Sequence, residues 1–185
     1  MDKDKRLIEL CLKNDRLAQR QMYQRFFPKM VAVCQRYVKN EQDALEMYNS
    51  GMLTVLTKLA SFKFEGSFEG WVCRIMVNGC LNFIKSSKKY KQYFAYTVEL
   101  DDKEVAGKES EVLGNIDAEH LHYYLNSLPE VHYLVFNLYA IEGFSHEEIA
   151  LQLNITAGTS RWYLSKARDI LREKIGRVEK YNSAG

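Results

Sequence analysis

The stretch Phe144 to Ile175, FSHEEIALQLNITAGTSRWYLSKARDILREKI, confines this part of the chain to two helices joined by a tight break. Ser145 is placed to cap a first helix. Glu148, three residues on, completes a capping box, and Glu147 beside it is favoured by the positive helix start. The spacing predicts that this helix runs to about Leu153 and breaks at Asn154 and Ile155. Thr156 then caps a second helix, on which Leu164, Ala167, Leu171 and Ile175 share one face. That face is expected to be buried. The opposite face carries Arg161, Lys166, Arg168 and Arg172, with Thr159, Ser160 and Trp162 near its start.

Two readings are open for such a pair. It is a helix-turn-helix whose second helix meets base edges of DNA, or an ordinary helical hairpin with a solvated basic face. Charge separates them. Residues 118–155 hold five acids (Glu119, Glu130, Glu142, Glu147, Glu148) and no Lys or Arg, whereas residues 156–180 hold seven Lys or Arg against three acids. A basic pole on the second helix suits a phosphate backbone.

Across its 185 residues the chain has two prolines and recurrent amphipathic helical runs, which predicts an all-α fold. Charge divides it. Residues 1–90 carry sixteen Lys or Arg and nine acids, residues 91–117 three and seven, and residues 118–185 seven and eight. We therefore expect two small helical domains, an N-terminal bundle (1–90) and a C-terminal helix-turn-helix domain (118–185). They are joined by an acidic linker (91–117) with two glycines and no sustained helical period. Cys11, Cys34, Cys73 and Cys80 lie in apolar helical contexts without metal-ligand spacing, which predicts buried thiols in a reducing compartment, without disulfide or zinc. No stretch approaches the roughly 20 apolar residues of a membrane span, so a cytoplasmic protein is expected.

In the N-terminal half, a first helix is predicted over Lys3 to Leu12, with Leu7, Ile8, Cys11 and Leu12 on its apolar side, and Asn14 and Asp15 separate it from the next. The second is expected to bury Leu17, Met22, Phe26, Met30, Val33 and Tyr37, with a kink or break at Pro28. A third, about Gln42 to Leu59, places Ala44, Met47, Tyr48, Met52, Val55 and Leu59 inward and Asp43, Glu46 and Asn49 on an outer strip suited to docking. The loop ASFKFEGSFEGW follows, and its rings have two uses: stacking on unpaired bases or plugging the end of a helix bundle. The fourth helix starts near Ser67 and is expected to bury Trp71, Ile75, Leu81 and Ile84. Arg74, Asn78 and Asn82 lie near one polar stripe, and Lys85, Lys88, Lys89 and Lys91 gather at its end, where the helix dipole alone also favours them.

In this order the segments NEQDALEMYNSGMLTVLTKL, FEGSFEGWVCRIMVNGCLNFI and LNSLPEVHYLVFNLYAIEGFSHEEIALQLNITAGTSRWYLSKAR resemble the extracytoplasmic-function group of bacterial sigma factors, the smallest members of the sigma-70 family. Leu17 to Lys89 looks like the family's first domain and Ala118 to Ile175 like its last. In the last, Leu128, Pro129 and Glu130 open a helix whose Val131, Leu134, Val135 and Leu138 pack behind the helix-turn-helix, with Gly143 as its C-terminal cap. The resemblance implies that the chain binds core RNA polymerase and promoter DNA and directs transcription initiation. It implies polymerase docking through Asp43, Glu46, Asn49 and Met52. Family members usually carry a glutamine and an acid where this chain has Asn49 and Ser50. The loop with Phe64, Ser67 and Phe68 would capture an extruded base of the −10 element, with Arg74, Asn78 and Lys85 along the melted strand. The −35 element would fall to Thr159, Ser160, Arg161, Trp162, Ser165, Lys166 and Arg168, of which Thr159 and Arg168 would take phosphates. Trp162 stands where a small or polar residue is common. An anti-sigma partner is usual in the family.

The alternative is a helix-turn-helix regulator that binds operators as a dimer without replacing the sigma subunit. It leaves the N-terminal aromatic loop and basic helix without a task, and no apolar dimerisation surface is evident. An enzyme is not expected. The chain has no metalloprotease motif, nucleotide-binding glycine loop or nucleophile elbow. His120 and His122, two residues apart, do not face each other on a helix and are expected at the surface or between domains. No catalytic residue, metal or cofactor is therefore assigned.

Overall fold

The computed structural model describes residues 3–86 and 123–182, with side chains as far as residue 176. Among these residues every regular element is helical. The chain divides into two compact units, Met1–Tyr90 and Lys91–Gly185. The acidic segment 91–117, Lys88, Lys89, His120 and His122 lie outside the described residues.

The N-terminal unit packs α1 (Lys3–Leu12), α2 (Arg16–Gln35), α3 (Glu41–Lys58) and α4 (Phe68–Ser86), with a 3-10 turn at Leu59–Ser61. Polar residues set the boundaries. Asn14 takes the left-handed conformation after α1 (φ 59°), and the Asp15 side chain accepts from the Ala18 amide to cap α2. Asn40 caps α3 by accepting from the Gln42 amide. Leu7, Ile8 and Cys11 of α1 are buried, but Leu12 is exposed at the edge of that face. On α2 the expected Leu17 is also outside: Ala18, Met22, Phe26 and Met30 follow one another at four-residue intervals, and Leu17 lies about 100° off that line. Pro28 does not break α2, which continues to Gln35. The carbonyl that loses its partner belongs to Gln24, an exposed residue whose backbone water can satisfy. Ala44, Tyr48, Met52, Val55 and Leu59 are buried as expected, and Met47 is half-buried. The Tyr48 hydroxyl donates to the Tyr23 carbonyl at 2.5 Å, tying α3 to α2, and burial pushes its ionisation far above the usual range.

Helix α4 buries Leu81 as expected but otherwise turns a different face inward. Trp71, Ile75 and Ile84 are only half-buried, and the core takes Phe68, Val72, Met76, Val77, Cys80 and Leu81. The cause is on α3. Gly51 has no side chain, and a Cβ there would stand 2.2 Å from the Met76 sulfur. Met76 is seated in that notch, and Val72 and Cys80, one turn to either side, follow it inward. Cys80 also hydrogen-bonds Cys34 of α2 in the same core.

In the C-terminal unit a helical turn at 123–126 precedes α5 (Glu130–Phe136), which runs into a π turn at Asn137–Ile141. Gly143 then adopts φ 71°, and the Phe144 amide reaches back to the Leu138 carbonyl at 2.9 Å, one residue further than an ordinary Schellman closure. Val131, Leu134, Val135 and Leu138 are buried behind α6 (His146–Leu153) and α7 (Ala157–Asn182). The expected capping box of α6 is present: the Glu148 amide donates to Ser145 Oγ at 3.1 Å, and the Ser145 amide to Glu148 Oε2 at 2.9 Å. Asn154 ends α6 in the left-handed conformation at φ 54°. Leu164, Ala167 and Leu171 are buried, and Ile175 is half-buried toward the helix end.

Two histidines hold these helices together as neutral rings. The His146 ring stacks on Tyr139 of the π turn at 4.4 Å, and its Nδ1 lies 2.9 Å from Ser160 Oγ of α7. His132 of α5 meets Tyr163 edge-on at 5.0 Å and Trp162 at 5.9 Å. Burial lowers the pKa of both. Arg161 and Arg168 push the same way at His146 against an opposing Glu147, and Lys166 does so at His132.

Two outcomes follow. Gly51→Val should lower unfolding free energy by about 2–3 kcal/mol through overpacking, and Met76→Ala in the same chain should restore part of it; denaturant titration of the full chain reads both. Because both histidines bind protons more readily unfolded, the stability they contribute is complete above about pH 6.5 and declines as pH falls through their lower folded values. Each ring adds at most about 1.4 kcal/mol per pH unit to that slope. His146→Gln should flatten the dependence of melting temperature on pH between 7.5 and 5, and an unchanged slope would assign the effect to other groups.

Candidate nucleic-acid interface

In the C-terminal unit, α7 presents Arg161, Ser165, Arg168 and Arg172 at intervals of three and four, one stripe on a helix. Arg161 and Lys166 are exposed, and Trp162, Ser165 and Arg168 are half-exposed. The cations are held from the sides. Arg161 Nη2 donates to Glu147 Oε1 of α6 at 2.9 Å. Arg172 pairs with Asp169 at 2.8 Å, and the Arg168 guanidinium sits over the Tyr139 ring at 6.0 Å. Trp162 leans on Tyr163 at 5.1 Å and toward His132, so part of its ring belongs to the packing of α5.

Thr159 and Ser160, expected beside these residues, are inside the unit. Thr159 is buried at the first turn of α7, where its amide donates to the capping hydroxyl of Thr156 at 3.0 Å and its own hydroxyl lies 2.9 Å from that oxygen. Ser160 is 0% exposed, and its hydroxyl is taken by His146. Neither can reach a duplex without dismantling the cap or the α6–α7 contact. Two groups that shape this face were not foreseen: Glu147, assigned only to the helix start, and Tyr139, given no role. Their partners lie 14 and 29 residues further on, beyond any helical period.

In the N-terminal unit the aromatic loop divides between its two possible uses. Phe62 and Phe68 are buried and plug the bundle end, with Phe68 against Phe26 at 5.6 Å, Phe62 at 5.1 Å and Trp71 at 5.9 Å. Phe68 is therefore not available to a base. Phe64 is 52% exposed, rests on Phe62 at 5.0 Å, and holds a left-handed backbone (φ 58°) that a bulky residue seldom adopts. Exposed Ser67 accepts from the Gly70 amide at 3.3 Å and caps α4. The inward turn of α4 at Met76 leaves Trp71, Arg74, Ile75, Asn78, Asn82 and Lys85 along its outer side, a mixed ring-and-polar stripe next to Phe64 in sequence. Asn78 Oδ1 in that stripe is buried and lacks a hydrogen-bond partner. Such an acceptor is costly unless something supplies a donor.

The outer strip of α3 offers Glu46, Asn49, Ser50 and Leu53, all exposed, with Asp43 half-exposed. Asn49 Oδ1 accepts from the Tyr23 hydroxyl at 2.8 Å. Met52, to which the resemblance gives a docking role, is 2% exposed and faces the core, as its spacing of one helical turn from Tyr48 predicts. Leu53, one residue on, points outward instead.

Comparison with known proteins places these features in a family. The family model of Sigma-70 region 2 matches residues 22–90, and that of Sigma-70 region 4 matches residues 119–171. Similar curated proteins include the ECF RNA polymerase sigma-E factors of Haemophilus influenzae and Escherichia coli. Each is 24% identical over 180 residues, which span 93% of this chain and 95% and 94% of those proteins. Among solved structures, CnrH in complex with the cytosolic domain of CnrY matches with a TM-score of 0.52 and 17% identity, over 95% of this chain and 99% of that one. The sigma factor RpoE of Bartonella quintana, in complex with the anti-sigma factor NepR, matches with a TM-score of 0.50 and 20% identity, over 85% and 96%. These likenesses show the same kind of fold. With region 2 on the four-helix unit and region 4 on the helix-turn-helix unit, in that order, the chain belongs to the sigma-70 family as an extracytoplasmic-function sigma factor.

Proposed function

We propose that the chain binds core RNA polymerase through the outer strip of α3, opens and holds the −10 element with Phe64 and the outer stripe of α4, and reads the −35 element with the exposed face of α7. The observation that carries this reading is the pairing of the two matched regions with exposed surfaces on their own units, two on the region 2 unit and one on the region 4 unit. Docking falls to Asp43, Glu46, Asn49 and Leu53. The −10 surface comprises Phe64, Ser67, Arg74, Asn78 and Lys85, and the −35 surface Arg161, Trp162, Ser165, Lys166 and Arg168. On this reading residues 1–90 and 118–185 are the working domains and 91–117 is their tether. A helix-turn-helix regulator would leave the region 2 surfaces without a task.

The chain contributes recognition and strand separation, while nucleotide addition belongs to polymerase. Its place is the cytoplasm, where polymerase works, and no helix among the described residues is long and apolar enough to cross a membrane. Both similar solved structures are complexes, one of them with an anti-sigma factor, which supports a protein partner of that kind here.

Run-off transcription of genomic fragments by bacterial core polymerase should yield defined transcripts only when this protein is added. A regulator would give none without another sigma factor. Asn78→Ala should keep core binding and reduce permanganate reactivity of the −10 region about fivefold, the effect of one hydrogen bond worth about 1 kcal/mol. Unchanged reactivity would remove Asn78 from the melting surface.

A further inference from the structure

Arg161 stands at the start of the exposed face of α7, and its partner belongs to the helix before it. Glu147 Oε1 accepts from Arg161 Nη2 at 2.9 Å, with both side chains at least half exposed. A pair so exposed adds little to stability. Its effect is on geometry. Glu147 is the second residue of α6, where a backbone amide, then Arg161 and Ser145, hold its carboxyl below the usual carboxylate range. Helix α6 is in turn fixed by its capping box and by the contact between His146 and Ser160. A charged acceptor on an immobilised helix turn therefore restrains one arm of a long side chain and leaves the remaining guanidinium donors to project.

We infer that Glu147 is a positioning residue for base recognition: it sets the specificity of Arg161 without itself having to touch DNA. This rests on the proposed −35 role of α7. An unrestrained arginine reaches phosphates and many base acceptors alike, whereas a restrained one meets only an acceptor at the place where its fork is held. The same carboxylate repels phosphates and lowers affinity for every sequence. Glu147 thus gives up affinity in exchange for discrimination, and the two effects are separable.

The test uses holoenzyme assembled from the full chain and bacterial core polymerase. The probes are duplexes enriched by the wild-type holoenzyme from a random-sequence pool, together with every single-base substitution of the enriched site. Glu147→Gln should bind substituted duplexes more tightly while discrimination at one base pair falls about fivefold or more, the lower range for one bidentate contact. Glu147→Asp keeps the charge but withdraws the carboxylate by one methylene; it should match wild type in sequence-independent affinity and Glu147→Gln in lost discrimination. Adding Glu147→Gln to Arg161→Ala should leave the matched-to-substituted ratio where Arg161→Ala alone put it. A uniform rise in affinity for all duplexes in Glu147→Gln, with the ratio unchanged, would overturn the inference and reduce Glu147 to a repulsive charge. If Arg161→Ala lowers the ratio and Glu147→Gln does not, positioning is overturned while the −35 reading stands. If Arg161→Ala leaves every ratio unchanged, the −35 role of Arg161 falls and the inference with it.

Discussion

The seat of Met76 against Gly51 decides which side of α4 the N-terminal unit gives to solvent. A helix that buries one face has only the other to offer, and α4 is apolar enough around its circumference to have packed either way. With Met76 in the notch, Val72 and Cys80 complete the inner line, and Trp71, Ile75 and Asn78 stay at the margin. Rings at a half-buried margin, beside polar side chains, are what a surface for unpaired bases requires, since a base stacks by its face and is steered by hydrogen bonds at its edge. A side chain at position 51 therefore bears on the proposed −10 surface as well as on the core.

Helix α7 shows the same logic with polar groups in place of a glycine notch. Leu164, Ala167 and Leu171 fix its rotation, but its first turn is set by hydrogen bonds: Thr156 to Thr159, and Ser160 to His146. Hydroxyls used in these contacts are not free for DNA, and what they provide is a second contact between the start of the proposed recognition helix and α6. The π turn contributes to the same end. Its extra residue brings Tyr139 over His146 and under Arg168, while Asn137 is left 0% exposed with neither amide atom hydrogen-bonded. A buried, unsatisfied amide destabilises a fold, and π turns are uncommon.

Features that depend on a few neighbouring residues were legible in the sequence. The capping box at Ser145 and Glu148, the break at Asn154, the limits of α1 and the C-terminal glycine at position 143 all follow from local chemistry. The inner face of α4 was not legible, because the selecting group, Gly51, lies on another helix. Met52 enters the docking set only through the family resemblance; its spacing from Tyr48 already places it inward, where the structure has it. Ser160 has the composition of a surface residue, and only the approach of His146 shows where it points. The left-handed backbone at Phe64 has no sequence signature at all, since a bulky ring argues against it.

Charge balance bears on how the two units can work together. Residues 118–185 carry seven Lys or Arg and eight acids, so the C-terminal half has no net positive field to attract DNA. Two of the cations on the exposed side of α7, Arg161 and Arg172, already have carboxylate partners. For these, meeting a phosphate exchanges one ion pair for another, and less is gained than from a solvated cation. Affinity of this unit for duplex DNA is therefore expected to be low by itself, with its charges better arranged for discrimination than for capture. Capture must then come from elsewhere. A unit tethered to a polymerase already on DNA meets its element at an effective concentration set by the tether, and weak selective contacts suffice there. Under the proposed assignment, a neutral reading domain and a basic melting domain divide the work: the first chooses among sites the polymerase has brought near, and the second, with sixteen Lys or Arg against nine acids over residues 1–90, holds the strand once it opens.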